Sequence, residues 1–524
     1  MPVQSIIGHS CPNGCTGLQI FFTLSAFGLD REVGWQIIRD KWVTMFKGIL
    51  VDENTNPGVI LLGYKFPEVL SRVSGEKNVI GQHLFLGSLL ESYQKLKKPN
   101  LVCCSSRLSA SNSKLYLPVL FQFMEVKPIV SFEDTAVAFD YKSDTAMRKA
   151  NLIFSLVNHP WISALATGSV KVALWLRLPI EPLIKTMVFD HFCGGESIDK
   201  TDAVVRLLGS YGVSTILDYS VEGAKSEEGF DHAMEETLRT IEKAHRVENI
   251  PFSVFKITGL ASAELLEKVQ QKAELNAAEK KAFERVRYRM DCICKQAHAC
   301  KIPVLLDAEE SWIQDTIDSL AYELMAKYNK EQAIVFNTYQ LYRTASMKNL
   351  KDAFHEAAMH NFFLGAKLVR GAYLEKERER AEQMGYPSPI YPDKDSTDGA
   401  FNQALTFCID NKQRISVMCG SHNEYSNHYL MVLMEKHSMK NSDNRVWFAQ
   451  LYGMSDNISF SLAKAGYRVA KYVPYGPVRS VLPYLLRRAA ENTSVAGQSS
   501  RELMLIQKEI KRRRDVRMET ASTS

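Results

Sequence analysis

Residues 301–340, KIPVLLDAEESWIQDTIDSLAYELMAKYNKEQAIVFNTYQ, hold one complete structural unit and the start of the next. Pro303-Val304-Leu305-Leu306-Asp307 is a short apolar run ending on a carboxylate. Apolar residues then recur at helical spacing over Ile313–Lys330, and a second β-branched run follows at Ala333–Tyr339. Short apolar strands of this kind are buried on both faces, the condition of a parallel sheet covered by helices. The unit recurs in both directions. Upstream, Ser214–Tyr219 precedes the helical Phe230–Arg246, and Phe252–Thr258 precedes a long charged helical region, interrupted or bent, that runs to about Cys300. Downstream, Ala333–Tyr339 precedes Ser346–His360, and Phe363–Val369 precedes a charged helix around Glu375–Met384. Ile415–Gly420 precedes Glu424–His437, Val446–Leu451 precedes Asn457–Ala465, and Tyr467–Val473 precedes Val478–Glu491. Eight strand–helix units over about residues 206–492 predict a closed (β/α)8 TIM-like barrel, an α/β architecture of about 250 residues. An open doubly wound sheet is the alternative that this pattern leaves.

The rest of the chain sets bounds. Its 524 residues are 46% hydrophobic and 23% charged, ordinary for a globular protein with a sizeable core. A net charge of +5 is too mild for a nucleic-acid binder. Part of that excess sits in Lys508-Glu509-Ile510-Lys511-Arg512-Arg513-Arg514, either a solvated helix end or a patch drawn to an anionic membrane surface. Ten cysteines without zinc spacing or a disulfide framework fit reduced thiols in an intracellular compartment. The stretch Trp161–Ile184 is interrupted by Lys171, Arg177 and Glu181, so no membrane span is expected. Residues 1–29 lack the basic residues of a targeting peptide. Residues 1–128 show no regular period and form an unassigned N-terminal extension. Residues 129–205 read as a helical arm, and 206–517 as the barrel with its C-terminal basic helix.

Enzymes of this architecture place their chemistry at the carboxyl ends of the strands. Those ends carry Lys256, Asp307, Gln340, Tyr373, His422, Leu451 and Tyr472, so charged, polar and aromatic groups converge there. Asp307 opens DAEES and is a general base, an orienter of a cation or a helix cap. Lys256 lies inside a strand, where an unpaired ammonium would be costly, and so needs Asp307 or a substrate anion as partner. In KLVRGAY (residues 367–373), the small pair Gly371-Ala372 would let a flat ring approach the backbone. In PYLLRRAAEN (residues 483–492), Tyr484 shares a helix face with Arg487 and Arg488. Paired guanidinium groups suit a carboxylate, each charge-assisted bond being worth about 1.5–3 kcal/mol. A solvated helix face is the plainer alternative. No GxGxxG follows a strand and no P-loop is present. His355 and His360 are five apart, about 500° around a helix, so their rings diverge and no metal site is expected.

Nine motifs in order, ILDYSVEG, KITG, DAEESW, FNTYQLYR, GAKLVRGAY, GSHNE, FAQLYGMSD, KYVPYGPV and PYLLRRAAEN, make the chain from about residue 130 to 515 resemble the FAD-dependent, monofunctional proline dehydrogenases. The resemblance implies a distorted barrel with FAD on the carboxyl ends of the strands and the last helix over the mouth. It implies that Arg487, Arg488 and Lys256 hold the carboxylate of L-proline, with Tyr373, Tyr472, Tyr484 and Leu451 around its ring. Asp307 would hydrogen-bond within the site and help hold Lys256 or the arginines. Gln340, Lys367, Val369, Gly371, Ala372 and His422 would contact the flavin; many relatives have arginine where this chain has Lys367. Relatives preferring hydroxyproline carry a small residue at the place of Tyr472, so the tyrosine points to proline.

The chemistry implied is hydride removal from the ring carbon beside nitrogen, giving 1-pyrroline-5-carboxylate, with electrons passed on to a quinone. No side chain accepts hydride, so the flavin must, and the protein positions and polarises. Cationic Arg487, Arg488 and Lys256 disfavour protonation of the amine, whose lone pair stabilises the developing iminium. Peripheral association with a membrane is expected through the basic tail. The compartment would be cytoplasmic or inner-membrane in a bacterium and mitochondrial in a eukaryote. The rival readings are a hydroxyproline dehydrogenase, a different flavin barrel, and a degenerate barrel used only for interaction.

Overall fold

The computed structural model describes residues 130–157, 180–221, 226–494 and 498–523. The expected N-terminal extension, residues 1–128, lies outside the described residues, as does most of the apolar stretch that begins at Trp161.

Eight parallel strands close on themselves in sequence order. They are β1 (Ser214–Tyr219), β2 (Phe252–Lys256), β3 (Val304–Asp307), β4 (Val335–Gln340), β5 (Leu364–Val369), β6 (Ile415–Gly420), β7 (Val446–Leu451) and β8 (Val469–Tyr475). The closed ring excludes the open doubly wound sheet. Seven registers seat each strand against its sequence neighbours, and Ser214–Tyr219 pairs with Ala470–Tyr475 to close the barrel. The predicted strands are all present; β8 starts and ends two residues later than its hydropathy suggests, because Tyr467 belongs to the turn before it.

Period-two alternation sorts each strand. Leu306, Leu364, Ala366, Leu368, Val417, Phe448 and Val473 face outward into the main core, packed against the helices. Ile216, Phe252, Val254, Leu305, Phe336, Met418, Trp447 and Ala470 form a separate cluster filling the barrel interior. Gly365 serves that filling, since a Cβ there would lie 2.6 Å from the Phe336 ring. Continuing the inward register upward brings Asp218, Lys256, Asp307, Gln340, Lys367, Leu451 and Tyr472 to the rim.

Helices return between strands. α1 (Thr135–Phe139) and α2 (Asp144–Val157) precede short helical turns over Glu181–Phe192, and α3 (Asp202–Ser210) leads into β1. α4 (Glu227–Arg246) follows β1. The long charged region after β2 is two helices, α5 (Ala263–Gln270) and α6 (Ala277–Cys300), separated where Asn276 and Glu279 form a capping box. α7 (Ser311–Tyr328) and α8 (Ser346–Met359) follow β3 and β4. After β5 come α9 (Leu374–Met384) and a helix the sequence reading passed over, α10 (Lys394–Asp410). Its signal was present: Asp393 caps the Ser396 N–H, and Ala400, Phe401, Ala404, Leu405, Cys408 and Ile409 repeat at helical spacing. The chain then runs through α11 (Glu424–Lys436), α12 (Asp456–Lys464), α13 (Val478–Ser494) and α14 (Gln498–Thr523).

α14 binds the arm to the barrel. Leu505 and Ile506 are fully buried against Ala138, Phe139, Met147, Ala150 and Phe154. The basic run is therefore largely spent within the molecule. Arg512 and Arg513 both bond buried Glu509, and Arg513 also reaches Asp144 at 2.9 Å and the Phe139 carbonyl at 2.7 Å. Lys511 and Arg514 point outward. Among the described residues no helix is long and apolar enough to cross a membrane.

Candidate active site

The rim of the barrel is organised around Asp307, at the last position of β3 and paired in register with Lys256 at the end of β2. Its Oδ1 accepts from Lys367 Nζ at 2.5 Å, and its Oδ2 accepts from the Tyr472 hydroxyl at 2.8 Å. Those partners come from β5 and β8, so the contacts span the barrel interior rather than run along adjacent strands. Lys367 Nζ also lies 5.0 Å from the centre of the Tyr472 ring, in cation–π range. Burial alone would push the Asp307 carboxyl up. The charges of Lys367 and Lys256, with the two hydrogen bonds, outweigh it and hold the group below the usual carboxylate range. Asp218, on the same inward face of β1, is raised instead: burial dominates, Lys256 opposes it, and the Asp307 charge adds to it. Two carboxyls near one another are thus driven apart, one ionised and one inclined to hold a proton.

Lys367, expected at the flavin, is thus engaged with Asp307, the acid expected to hold Lys256 or the arginines; Lys256 acts on Asp307 through its charge. Gln340, also expected at the flavin, ties two loops together. Its Nε2 donates to the Glu309 carbonyl at 2.7 Å and its Oε1 accepts from the Ala372 N–H at 3.0 Å. Val369 sits beside Gln340 in register, partly open at the end of β5. Gly371 takes φ +141°, and a Cβ there would fall 2.4 Å from the Tyr342 ring, so the flat ring admitted to this backbone is the chain's own. His422 Nδ1 lies 2.9 Å from Ser455 Oγ, and its Nε2 accepts from the Leu451 N–H at 3.4 Å.

Above the rim, α13 carries Tyr484 and Arg487. Tyr484 packs in a cluster with Met454, Val481 and Leu485, with Leu451 against it. The Arg487 charge acts on the phenol of Tyr373, and the Tyr484 phenol acts on Tyr472, so this helix faces the strand ends. Tyr373 and Tyr472 are both buried, which raises each phenol above its ordinary value. The side chain of Arg488 lies outside the described residues.

Two residues at the rim, Asp218 and Glu309, escaped the sequence reading. Glu309 is buried, accepts from the Thr258 N–H at 2.9 Å and from the Thr258 hydroxyl, and so clamps the turn after Lys256 to the loop after Asp307. Burial raises its carboxyl to about 7 against opposition from those hydrogen bonds and from Lys256. With Gln340, it links the loops after β2, β3, β4 and β5 into one chain of contacts. The signal was the second acid in DAEES, two residues beyond the strand end and on the same side of the barrel.

The donor set fits a flavin with an anionic chain. Val369, Gly371, Ala372, His422 and Leu451 are partly or fully open along one side of the rim, above a closed interior, and Lys256, Lys367 and Arg487 supply positive charge. In comparison with known proteins, residues 202–501 match the family model for proline dehydrogenase. The mitochondrial proline dehydrogenase 1 of Dictyostelium discoideum is 33% identical over 458 residues, covering 78% of this chain and 76% of that protein. Its human namesake is 41% identical over 232 residues, 44% of this chain and 39% of that protein. The crystal structure of proline utilization A from Bdellovibrio bacteriovorus, inactivated by N-propargylglycine, superposes with a TM-score of 0.52 at 20% identity. That likeness covers 70% of this chain and 37% of the other, so this chain spans little more than a third of that protein's length, and it speaks for the fold alone. On the family match over residues 202–501 and the 33% identity to a relative of which 76% is covered, this chain belongs to the proline dehydrogenase family of enzymes.

Proposed function

We propose that this chain uses FAD to oxidise L-proline to 1-pyrroline-5-carboxylate, the first step of proline breakdown to glutamate, and passes the electrons to a quinone. The observation that carries the reading is the Asp307 cluster: an ionised carboxylate at the barrel rim, bonded by Lys367 and by Tyr472, under a helix that presents Arg487.

In this reading Arg487, Arg488 and Lys256 hold the substrate carboxylate, and Tyr373, Tyr472, Tyr484 and Leu451 enclose the ring. Bound FAD supplies the hydride acceptor. Val369, Gly371, Ala372 and His422 line its position. Gln340 and Lys367 act there chiefly by fixing loops and charge, since both side chains already bond protein groups. The cations keep the substrate amine unprotonated, so its lone pair is available to the carbon losing hydride. Asp307 keeps Tyr472 aimed by accepting a hydrogen bond from its hydroxyl, and the tyrosine fills the space that a hydroxylated ring would need.

Anaerobic addition of L-proline to the yellow holoprotein tests all of this. Loss of the flavin's visible absorbance, with no comparable loss on hydroxyproline, is expected. A colourless protein that cannot be reconstituted with FAD would overturn the reading in favour of a non-catalytic barrel. Docking at the inner membrane of a bacterium or a mitochondrion is part of the proposal, and flotation with anionic liposomes checks it. With most of the tail's arginines paired internally, Lys511 and Arg514 are the residues whose reversal to glutamate should weaken it.

A further inference from the structure

We propose that Glu502, on α14 and one residue beyond the segment matched by the family model, is a positioning residue for the His422 imidazole, acting through Ser455. The inference rests on the flavin reading of the site, because His422 gains its purpose there.

Ser455 closes the loop between β7 and α12. It holds φ 51° and ψ 46°, a left-handed conformation that a residue with a side chain rarely adopts. Glycine would take it without strain, yet serine stands here, and both its polar groups are used. Its N–H donates to Glu502 Oε2 at 2.9 Å, and its Oγ lies 2.9 Å from His422 Nδ1. On the far side of the ring, Leu451 N–H donates to Nε2. An acceptor Nε2 places the imidazole proton on Nδ1, which then donates to the serine hydroxyl. The ring is fixed in one tautomer and one orientation by two loop ends.

Glu502 is what keeps the serine in that pose. It is buried, and it reaches the site from the last helix of the chain. Next to Ser455, Asp456 is fully buried and bonds Lys471 at 2.8 Å, Lys142 at 2.7 Å and the Tyr141 hydroxyl at 2.8 Å. The arm, the terminal helix and the loop after β7 therefore meet at a single pair of residues, one step from the imidazole. Burial and the Asp456 charge raise the Glu502 carboxyl to about 7, so a neutral glutamine is a close replacement for it.

Selective 15N-histidine labelling of the full-length protein, with His422→Asn assigning the ring signals, reads the tautomer directly. FAD titration of the apoprotein reads the consequence. The wild type and Glu502→Gln should show the Nδ1–H form, with FAD affinities within about twofold of each other. Glu502→Ala should mix the tautomers and weaken FAD by about tenfold, the loss of roughly one good hydrogen bond. Ser455→Gly keeps the left-handed backbone but removes the hydroxyl, and should do the same, so it carries the test if Glu502→Ala does not fold. Wild-type ring signals in a folded Glu502→Ala or in Ser455→Gly would overturn the proposal, as would a Glu502→Gln as impaired as the alanine variant. Should the wild type bind no FAD, the flavin reading fails, while the ring signals still decide whether Glu502 positions His422.

Discussion

Asp307 is stabilised as an anion by two groups that are themselves costly to bury. Lys367 is 9% exposed at its side chain and Asp307 13%, so each is the other's principal compensation for lost water. Removing one member leaves the other uncompensated. Asp307→Asn should therefore lower stability by about 3 kcal/mol, read by chemical denaturation, and lower kcat/KM for proline by at least about a hundredfold. A variant as stable and active as the wild type would show that Lys367 has another partner. Glu309 offers a pH test. Its carboxyl is raised from the ordinary 4.5 to about 7, so its contribution to stability is intact below about 4.5 and is lost as the pH rises through about 7. The loss amounts to at most about 3 kcal/mol. Glu309→Gln keeps an acceptor for Thr258 but cannot ionise, so its melting temperature relative to wild type should climb between pH 5 and about 8. A difference that stays flat with pH would mean that the wild-type carboxyl is already charged.

Among the elements, α14 departs furthest from its expected part. As sequence it is a charged helix with a basic run that reads either as a solvated helix end or as a patch drawn to an anionic membrane surface. In the fold its apolar residues Leu505 and Ile506 cover the arm, and its acids Glu502 and Glu509 are buried and bonded. Leu505→Ala should cost about 2–5 kcal/mol. It should also raise amide hydrogen exchange in α1 and α2 before it does so in the barrel strands, since those helices lose their cover first. Uniform exchange across all elements would instead mean that arm and barrel unfold as one unit. α10 makes the converse point: its cap and its apolar repeat were both in the sequence, but its opening turn, Lys394-Asp395-Ser396-Thr397-Asp398-Gly399, is wholly polar or small and hid the start of the period.

At the scale of the molecule, the barrel is held to its arm by a buried charge cluster. Asp456 binds Lys471 of β8 and Lys142 of the arm, and burial is outweighed by these two cations, which keep the carboxyl ionised. Asp456→Asn would leave two buried ammonium groups without their shared anion, and a loss of about 3–5 kcal/mol is expected. Exchange protection should fall in Thr135–Val157 and at Ser455 together; protection lost in only one of them would separate the arm from the site. The eight units were legible along the chain because burial on both faces and helical spacing are local properties, read within ten or twenty residues. The same locality told which residues sit at strand ends, and so most of the rim, though not Asp218 or Glu309. It could not tell who bonds whom. Asp307 meets Lys367 and Tyr472 from β3, β5 and β8, strands that are not neighbours, and that meeting exists only once the sheet has closed and turned all three inward. Glu502 reaches Ser455 for the same reason: 47 residues and a whole strand separate them, and only the docking of the last helix brings a buried acid to that turn.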